Sequence, residues 1–291
     1  MTKSMKILAH AKVNLSLDVL KKRDDGYHDL RMVTQTISLC DEITLELSND
    51  KTISAKCNFN YIPTDGRNLA VAAARLFFEK TGLWQVGVRI FINKSIPVCA
   101  GLGGGSSNAA AVLRGLNVLL NANLNINELC EMALSLGSDV PFCISGGTQL
   151  MEGRGEILTP LPPLPDCYVV VCKPKAPMST QTVFGWINAG KIKYHPDNSG
   201  MIKALGLSKL SDVGRRMYNV LEDIVADKVP EIPLIRGEFL DSGAIGSCMT
   251  GTGTAIVGIF DNRKAAEKST ERLLRIHPDT FLTKPIEYNT I

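Results

Sequence analysis

The stretch Pro97-Val98-Cys99-Ala100-Gly101-Leu102-Gly103-Gly104-Gly105-Ser106-Ser107, running on through Asn108 to Asn117, decides how the chain is read. Gly101, Gly103, Gly104 and Gly105 crowd its first half. Its second half places Ala109, Val112, Leu113 and Leu116 at helical spacing, continued by Leu119 and Leu120. Upstream, Val86, Val88, Ile90 and Ile92 alternate as in a half-buried strand. The order is therefore strand, glycine loop, helix. Ser106 and Ser107 stand at the junction, where a hydroxyl is expected to cap the first turn.

That order suits an anion. Glycines let the backbone approach a ligand and turn its N–H groups inward. A helix N-terminus adds partial positive charge and unpaired donors. A di- or triphosphate is the expected occupant. No lysine follows the last glycine, so this is not a Walker A loop, and a serine at position 106 breaks the dinucleotide G-x-G-x-x-G pattern. A flexible connector is the plainer reading, but linkers seldom join a clean strand to an alanine-rich helix.

Working outward, 291 residues suggest about two domains. With 45% hydrophobic and 21% charged residues the chain has the material for a real core. A net charge of +3, with no basic run beyond Lys21-Lys22-Arg23, argues against nucleic acid as a partner. No stretch is apolar enough to span a bilayer and no signal segment is recognisable, so no membrane partner and a cytoplasmic location are expected. The 8 cysteines contain no C-x-x-C pair and read as reduced, mostly buried thiols. The 4 histidines show no metal-ligand spacing.

The first strand carries a polar row. Ile7, Ala9, Ala11, Val13, Leu15, Leu17 and Val19 fall on one side, and His10, Lys12, Asn14, Ser16 and Asp18 on the other. Taken by itself, the alternation reads first as a solvated sheet face, with a lysine and an asparagine lining a site as the sharper alternative. Asp24-Asp25-Gly26 then signals a hairpin, with Tyr27 and His28 on its shoulder. These two are either ordinary hairpin residues or a pair that stacks on a planar ring. The alternating residues from Val33 to Leu47 predict antiparallel strands rather than a βαβ unit.

A turn over residues 63–68 precedes a helix with Leu69, Ala72, Ala73, Leu76 and Phe77 on one face. A second helix is expected from Asn125 to Leu136, with a capping box (Asn125, Glu128) and Gly137 as its stop. Ser138-Asp139-Val140-Pro141-Phe142 follows; Asp139 is either a turn residue or a carboxylate set against a substrate hydroxyl. The proline-rich run at 159–166 places a domain boundary, giving domains 1–162 and 163–291. Beyond it come a strand from Tyr168 to Cys172, a helix capped by Ser179, and the glycine turn Met249-Thr250-Gly251-Thr252-Gly253-Thr254. A strand from Ala255 and a helix from Arg263 follow that turn. Residues 191–211 show no usable pattern.

Several of these pieces together resemble the GHMP kinases, a superfamily of small-molecule kinases. Pro97 to Ser107 matches their central loop, Ala11-Lys12-Val13-Asn14-Leu15 their N-terminal strand motif, and Met249 to Gly253 their C-terminal glycine motif. The expanded Gly-Leu-Gly-Gly-Gly-Ser-Ser loop, Gly26-Tyr27-His28-Asp29-Leu30 and Ser138 to Phe142 are similar to the branch acting on a cytidine diphosphate-linked methylerythritol. The resemblance runs from about residue 6 to residue 260. It offers nothing for residues 190–245.

The resemblance implies a two-domain α+β fold, with an N-terminal half like ribosomal protein S5 domain 2 and a ferredoxin-like C-terminal half. ATP and substrate would meet in the cleft between them. It implies phosphorylation of the 2-hydroxyl of the methylerythritol unit in non-mevalonate isoprenoid synthesis. Asp139 matches the carboxylate that orients or deprotonates that hydroxyl, and Lys12 the catalytic lysine. ATP would be held by Pro97, Val98, Cys99, Ala100, Gly101, Leu102, Gly103, Gly104, Gly105, Ser106 and Ser107, with Lys94 and Asn68 near the nucleotide. Asn14 would hold substrate, Tyr27 and Phe184 would sandwich the cytosine, and His28 and Thr180 would contact the cytidine end. Mg²⁺ is expected with the nucleotide, with Ser107 as the candidate protein ligand and no carboxylate cage. The implied partner is a small molecule, with the protein a monomer or homodimer. A sibling kinase acting on homoserine, mevalonate or a sugar, and a nucleotide-binding protein without turnover, are the alternatives.

Overall fold

The computed structural model describes residues 3–287. They divide into two units, the first comprising Met1–Ala11, Cys40–Ile96 and Gly103–Ser145, the second Lys12–Leu39, Pro97–Leu102 and Gly146–Ile291. Two long strands, β1 (Ser4–Lys22) and β2 (His28–Ser48), contribute residues to both.

In the first unit, β3 (Ile53–Cys57), α1 (Leu69–Thr81) and β4 (Gly87–Asn93) form a strand–helix–strand crossover. β3 lies parallel to β4, with Ile53 opposite Val88 and Cys57 opposite Ile92. β4 is antiparallel to the end of β2, from Glu42 opposite Asn93 to Ser48 opposite Gly87. The antiparallel pairing expected over Val33 to Leu47 is found, on the single strand β2, while the parallel β3–β4 pair was not anticipated. Parallel neighbours need a long connection, which α1 supplies, and the short β3 carries too little alternation to announce itself. Asn68 caps α1 by accepting from the Ala70 amide at 2.9 Å. The buried side chains of α1 are Ala70, Val71, Ala73, Ala74, Phe77 and Phe78, so its inner face is rotated from the expected one, leaving Leu69, Ala72 and Leu76 half-buried.

α2 (Gly104–Leu119) buries Ala109, Val112, Leu113 and Leu116 completely. Its packing is tight: a Cβ at Gly115 would come 2.1 Å from Ile7 Cδ1 and 2.6 Å from Leu45 Cδ1. The expected serine cap is absent. Gly103 holds the N-cap position at φ +69, no side chain caps the turn, and Ser106 and Ser107 lie inside the helix. α3 (Ile126–Ala133) has the full capping box of Asn125 and Glu128, but ends at Leu134, short of Gly137. α4 (Val140–Ser145) closes the unit.

The second unit begins with the hairpin of β1 and β2, where the Arg23 amide donates to the Tyr27 carbonyl at 2.8 Å and Gly26 turns the chain at φ +85. β5 (Thr148–Gly153) runs antiparallel to β2, Gln35 opposite Thr148, and β6 (Ile157–Pro160) antiparallel to β5. Then follow β7 (Tyr168–Cys172), α5 (Thr180–Trp186), α6 (Asn198–Gly206), α7 (Leu210–Gly214), β8 (Tyr218–Asn219), α8 (Glu222–Ala226) and α9 (Glu231–Asp241). β9 (Gly246–Met249), β10 (Ile256–Phe260), α10 (Arg263–Leu274) and β11 (Thr280–Thr283) complete the chain. A four-stranded antiparallel sheet has the order β11-β7-β10-β9. Ser179 caps α5 as expected, accepting from the Thr182 amide at 3.0 Å. β8 pairs parallel with β1 at Ser16 and Leu17. Among the described residues no helix is long and apolar enough to cross a membrane.

Candidate active site

In the second unit the polar row of β1 is buried: Lys12 is 5% exposed, Asn14 and Ser16 0%, and Asp18 4%. It is not a solvated face. A buried polar row must find partners, and each member does. Lys12 Nζ donates to Asn14 Oδ1 at 2.9 Å. Asn14 Nδ2 donates to Thr34 Oγ1 at 2.9 Å. Ser16 Oγ donates to Asn198 Oδ1 at 2.5 Å, and Asp18 bonds His195 Nδ1 at 2.7 Å.

The same asparagine fixes the second glycine turn. Its Oδ1 accepts from the Gly251 amide at 2.9 Å, and its own amide donates to Thr250 Oγ1 at 2.9 Å. That turn meets the loop Pro97–Leu102: the Ala255 amide donates to the Ala100 carbonyl at 3.2 Å, and a Cβ at Gly101 would come 2.1 Å from the Thr250 oxygen. The Lys12 amide donates to the Leu102 carbonyl at 3.0 Å. The lysine, the asparagine and both glycine segments are thus one hydrogen-bonded assembly.

Around the hairpin, His28 is buried and stacks on Phe184, ring centroids 5.4 Å apart and planes 24° apart. Burial, with the positive charge of Lys22, holds its imidazole below the ordinary value of 6.5. Tyr27 is 58% exposed, and the Arg154 guanidinium lies 5.1 Å from its ring centre. Phe184 therefore takes His28 as its ring partner, and Tyr27 takes Arg154. Thr180 joins the second glycine turn through Thr252, their hydroxyls 3.2 Å apart.

In the first unit, Lys94 pairs with Asp41 in the interior, where the carboxylate is fully buried and the lysine side chain is 5% exposed. Asp41 also accepts from the Ser95 and Ile96 amides, at 2.7 and 2.8 Å, and from Asn108 Nδ2 at 2.7 Å. The ammonium lies directly under the start of α2, since a Cβ at Gly104 would be 3.1 Å from Lys94 Nζ. Asn68 begins α1, and its neighbour Leu69 lies 3.5 Å from where a Gly105 Cβ would stand. Ser107 Oγ donates to the His10 carbonyl at 2.6 Å. Asp139 is half-buried just ahead of α4, its carbonyl accepting from the Cys143 amide at 3.1 Å.

Sequence reasoning missed Asp41 and Asn108, which hold Lys94, and Asn198, Asn219 and Glu222, which serve buried polar groups. Asp41 and Asn108 stand in an ordinary strand and helix, and their partners are 53 and 14 residues away along the chain. Nothing in local spacing announces such pairs. All 8 cysteines are free, but they are not mostly buried as expected: Cys143, Cys167, Cys172 and Cys248 are buried, while Cys40, Cys57 and Cys130 are half-buried and Cys99 is exposed; burial pushes Cys167 up to about 12.

Two family models match the chain: the GHMP kinases N terminal domain over residues 68–147, and the GHMP kinases C terminal domain over residues 201–278. A 4-diphosphocytidyl-2-C-methyl-D-erythritol kinase of Clostridium perfringens is 43% identical, covering 99% of this chain and 100% of that protein. One of Caldicellulosiruptor saccharolyticus is 42% identical, covering 97% of each. A crystal structure of 4-(cytidine 5'-diphospho)-2C-methyl-D-erythritol kinase superposes with a TM-score of 0.82 at 33% identity, covering 97% of this chain and 99% of that one. Homoserine kinase from Cytophaga hutchinsonii, 20% identical with a TM-score of 0.79, shares the fold. On this likeness, whole-length in sequence and in fold, the chain belongs to the 4-diphosphocytidyl-2-C-methyl-D-erythritol kinase family of the GHMP kinases.

Proposed function

We propose that this chain transfers the terminal phosphoryl group of ATP to the 2-hydroxyl of 4-diphosphocytidyl-2-C-methyl-D-erythritol, giving the 2-phosphate and ADP, in non-mevalonate isoprenoid synthesis. The observation that carries the reading is the assembly around Asn14, which holds the Lys12 ammonium at 2.9 Å and ties down the glycine turn at Thr250 and Gly251. Family membership names the substrate.

Phosphoryl transfer of this kind depends on positioning and charge neutralisation more than on proton removal. The backbone donors of Pro97 to Ser107 neutralise phosphate charge without reorganising. Lys12 adds a full positive charge on the transferring group. Asp139 orients or deprotonates the attacking hydroxyl. Asn14 holds substrate, Tyr27 and Phe184 flank the cytosine, and His28 and Thr180 contact the cytidine end. Lys94 and Asn68 lie near the nucleotide.

Among the described residues no group of three or more His, Cys, Asp or Glu forms a metal cage. Mg²⁺ would come with the nucleotide, Ser107 is the residue that would hold it, and the ion would supply charge neutralisation on the phosphates. Ser107, whose proton goes to the His10 carbonyl, keeps lone pairs for one such bond. The S5-like and ferredoxin-like description of the halves, their boundary at residue 162, the cleft between them as the meeting place, a cytoplasmic location, no nucleic-acid partner and a monomer or homodimer belong to the same proposal.

The test is incubation of the purified chain with ATP, Mg²⁺ and the cytidine substrate, following ADP release and locating the new phosphate by ³¹P NMR. Phosphate on the 2-hydroxyl supports the proposal. Turnover on homoserine or mevalonate alone would move the chain to a sibling activity, and no ADP release with any of them would leave a binding protein.

A further inference from the structure

The segment between residues 190 and 245 carries no motif of the proposed reaction, yet it holds two buried polar side chains aimed at the second glycine turn. Asn219, in β8, is 0% exposed. Its Nδ2 donates to the carbonyls of Met249 and Gly251, at 2.8 Å each, and its Oδ1 accepts from the Leu221 amide at 3.0 Å. Glu222, 5% exposed, accepts from the Met249 amide at 2.6 Å and from Arg236 Nη1 at 3.1 Å. Two side chains on one short strand–helix step thus hold both polar backbone groups of Met249 and the carbonyl of Gly251. A fully buried amide that spends both its donors on one turn fixes that turn, because moving it would strand the donors without water.

The fixed turn leads to the lysine. The Gly251 amide donates to Asn14 Oδ1, and that same oxygen accepts from Lys12 Nζ, both at 2.9 Å. The Asn14 amide is in turn held by Thr250 Oγ1 at 2.9 Å. Displacing Gly251 therefore displaces the acceptor that orients the ammonium. We propose that Asn219 is a positioning residue for Lys12, acting through Gly251 and Asn14, an inference that rests on the catalytic reading of Lys12 given above. Asn219 touches neither reactant; it sets where the charge stands.

The experiment is Asn219→Ala in the full chain, crossed with Asn14→Ala in a double-mutant cycle on kcat for the cytidine substrate. Misplacing a reacting group by a fraction of an ångström is costly, so Asn219→Ala should lower kcat by about tenfold or more while KM for ATP stays within about twofold. In the Asn14→Ala background, where the link is already cut, the same change should cost less than about twofold. A similar factor in both backgrounds, or an unchanged kcat, overturns the proposal. Hydrogen exchange reads the link without turnover: the Thr250 to Gly253 and Asn14 amides should exchange faster in Asn219→Ala, while those of β7 stay protected. Unchanged exchange overturns it even in a chain that phosphorylates nothing, so failure of the proposed function is told apart from failure of this relay. Should the alanine variant not fold, Asn219→Ser, whose shorter side chain with a single O–H cannot hold both the Met249 and Gly251 carbonyls, takes the same measurements with losses in the same direction.

Discussion

Asp41 holds Lys94 in a fully buried ion pair while its other oxygen accepts from the two amides, Ser95 and Ile96, that lead towards the glycine loop. Removing one partner of such a pair leaves an uncompensated charge in the interior. Asp41→Ala is expected to cost about 3–5 kcal/mol, measured by urea unfolding. Adding Lys94→Met should recover part of the loss, because the stranded ammonium is then gone. No recovery would mean that the two amides, not the ion pair, dominate the site.

His28 should titrate below 6.5, because burial, and then Lys22, disfavour its charged form. Above 6.5 the ring is neutral both folded and unfolded, and its contribution to stability is complete. As pH falls, the unfolded chain takes up the proton first, and that contribution is lost as pH passes the folded value. NMR titration should place the midpoint on the acid side of 6.5, and Lys22→Ala should move it up. His28→Gln should flatten the acid side of the stability profile.

Gly101 and Gly105 should separate folding from ligand binding. An alanine at 101 would put its Cβ 2.1 Å from the Thr250 oxygen at a φ of +76, so it should destabilise the fold as well as the loop. An alanine at 105 meets only Leu69 Cδ1 at 3.5 Å and lies inside α2. It should hold or raise stability, by up to about 1 kcal/mol, while weakening ATP binding through intrusion on the phosphate cradle. Calorimetric ATP titration and thermal unfolding of both variants decide this; unaltered ATP affinity in Gly105→Ala would remove that glycine from the cradle.

Asp139→Asn should lower kcat by about 10²–10⁴ with little change in ATP affinity. Turnover within a few-fold of the parent would strip the carboxylate of its assigned role. Tyr27→Ala, by contrast, should raise KM for the cytidine substrate and spare ATP, since Tyr27 is exposed and stacks only with Arg154 among the described contacts. Equal losses for both substrates would point instead to a damaged hairpin.

Much of the fold was legible because local chemistry decides it. The strand Tyr168–Cys172, the capping box of Asn125 and Glu128 and the cap at Ser179 follow from apolar run, spacing and side-chain oxygen. The face of α1 was misjudged by one residue because its row of alanines gives a weak stripe on either side. The polar row of β1 was ambiguous because alternation tells which residues share a face, not whether that face meets water or other buried polar groups. Residues 191–245 stayed unread for a related reason. Their helices carry only brief apolar periods, such as Met201, Ala204 and Leu205, and His195, Asn198, Asn219 and Glu222 are there to satisfy polar partners far away along the chain.

The longest described helix, α2, starts bare at Gly103. A side-chain cap there would contribute about 0.5–2 kcal/mol, so folding alone leaves that turn short of an acceptor. Any phosphate that settles on it makes up the deficit. Occupancy and heat resistance then become one quantity, and a melting curve run at rising nucleotide concentration doubles as a binding isotherm.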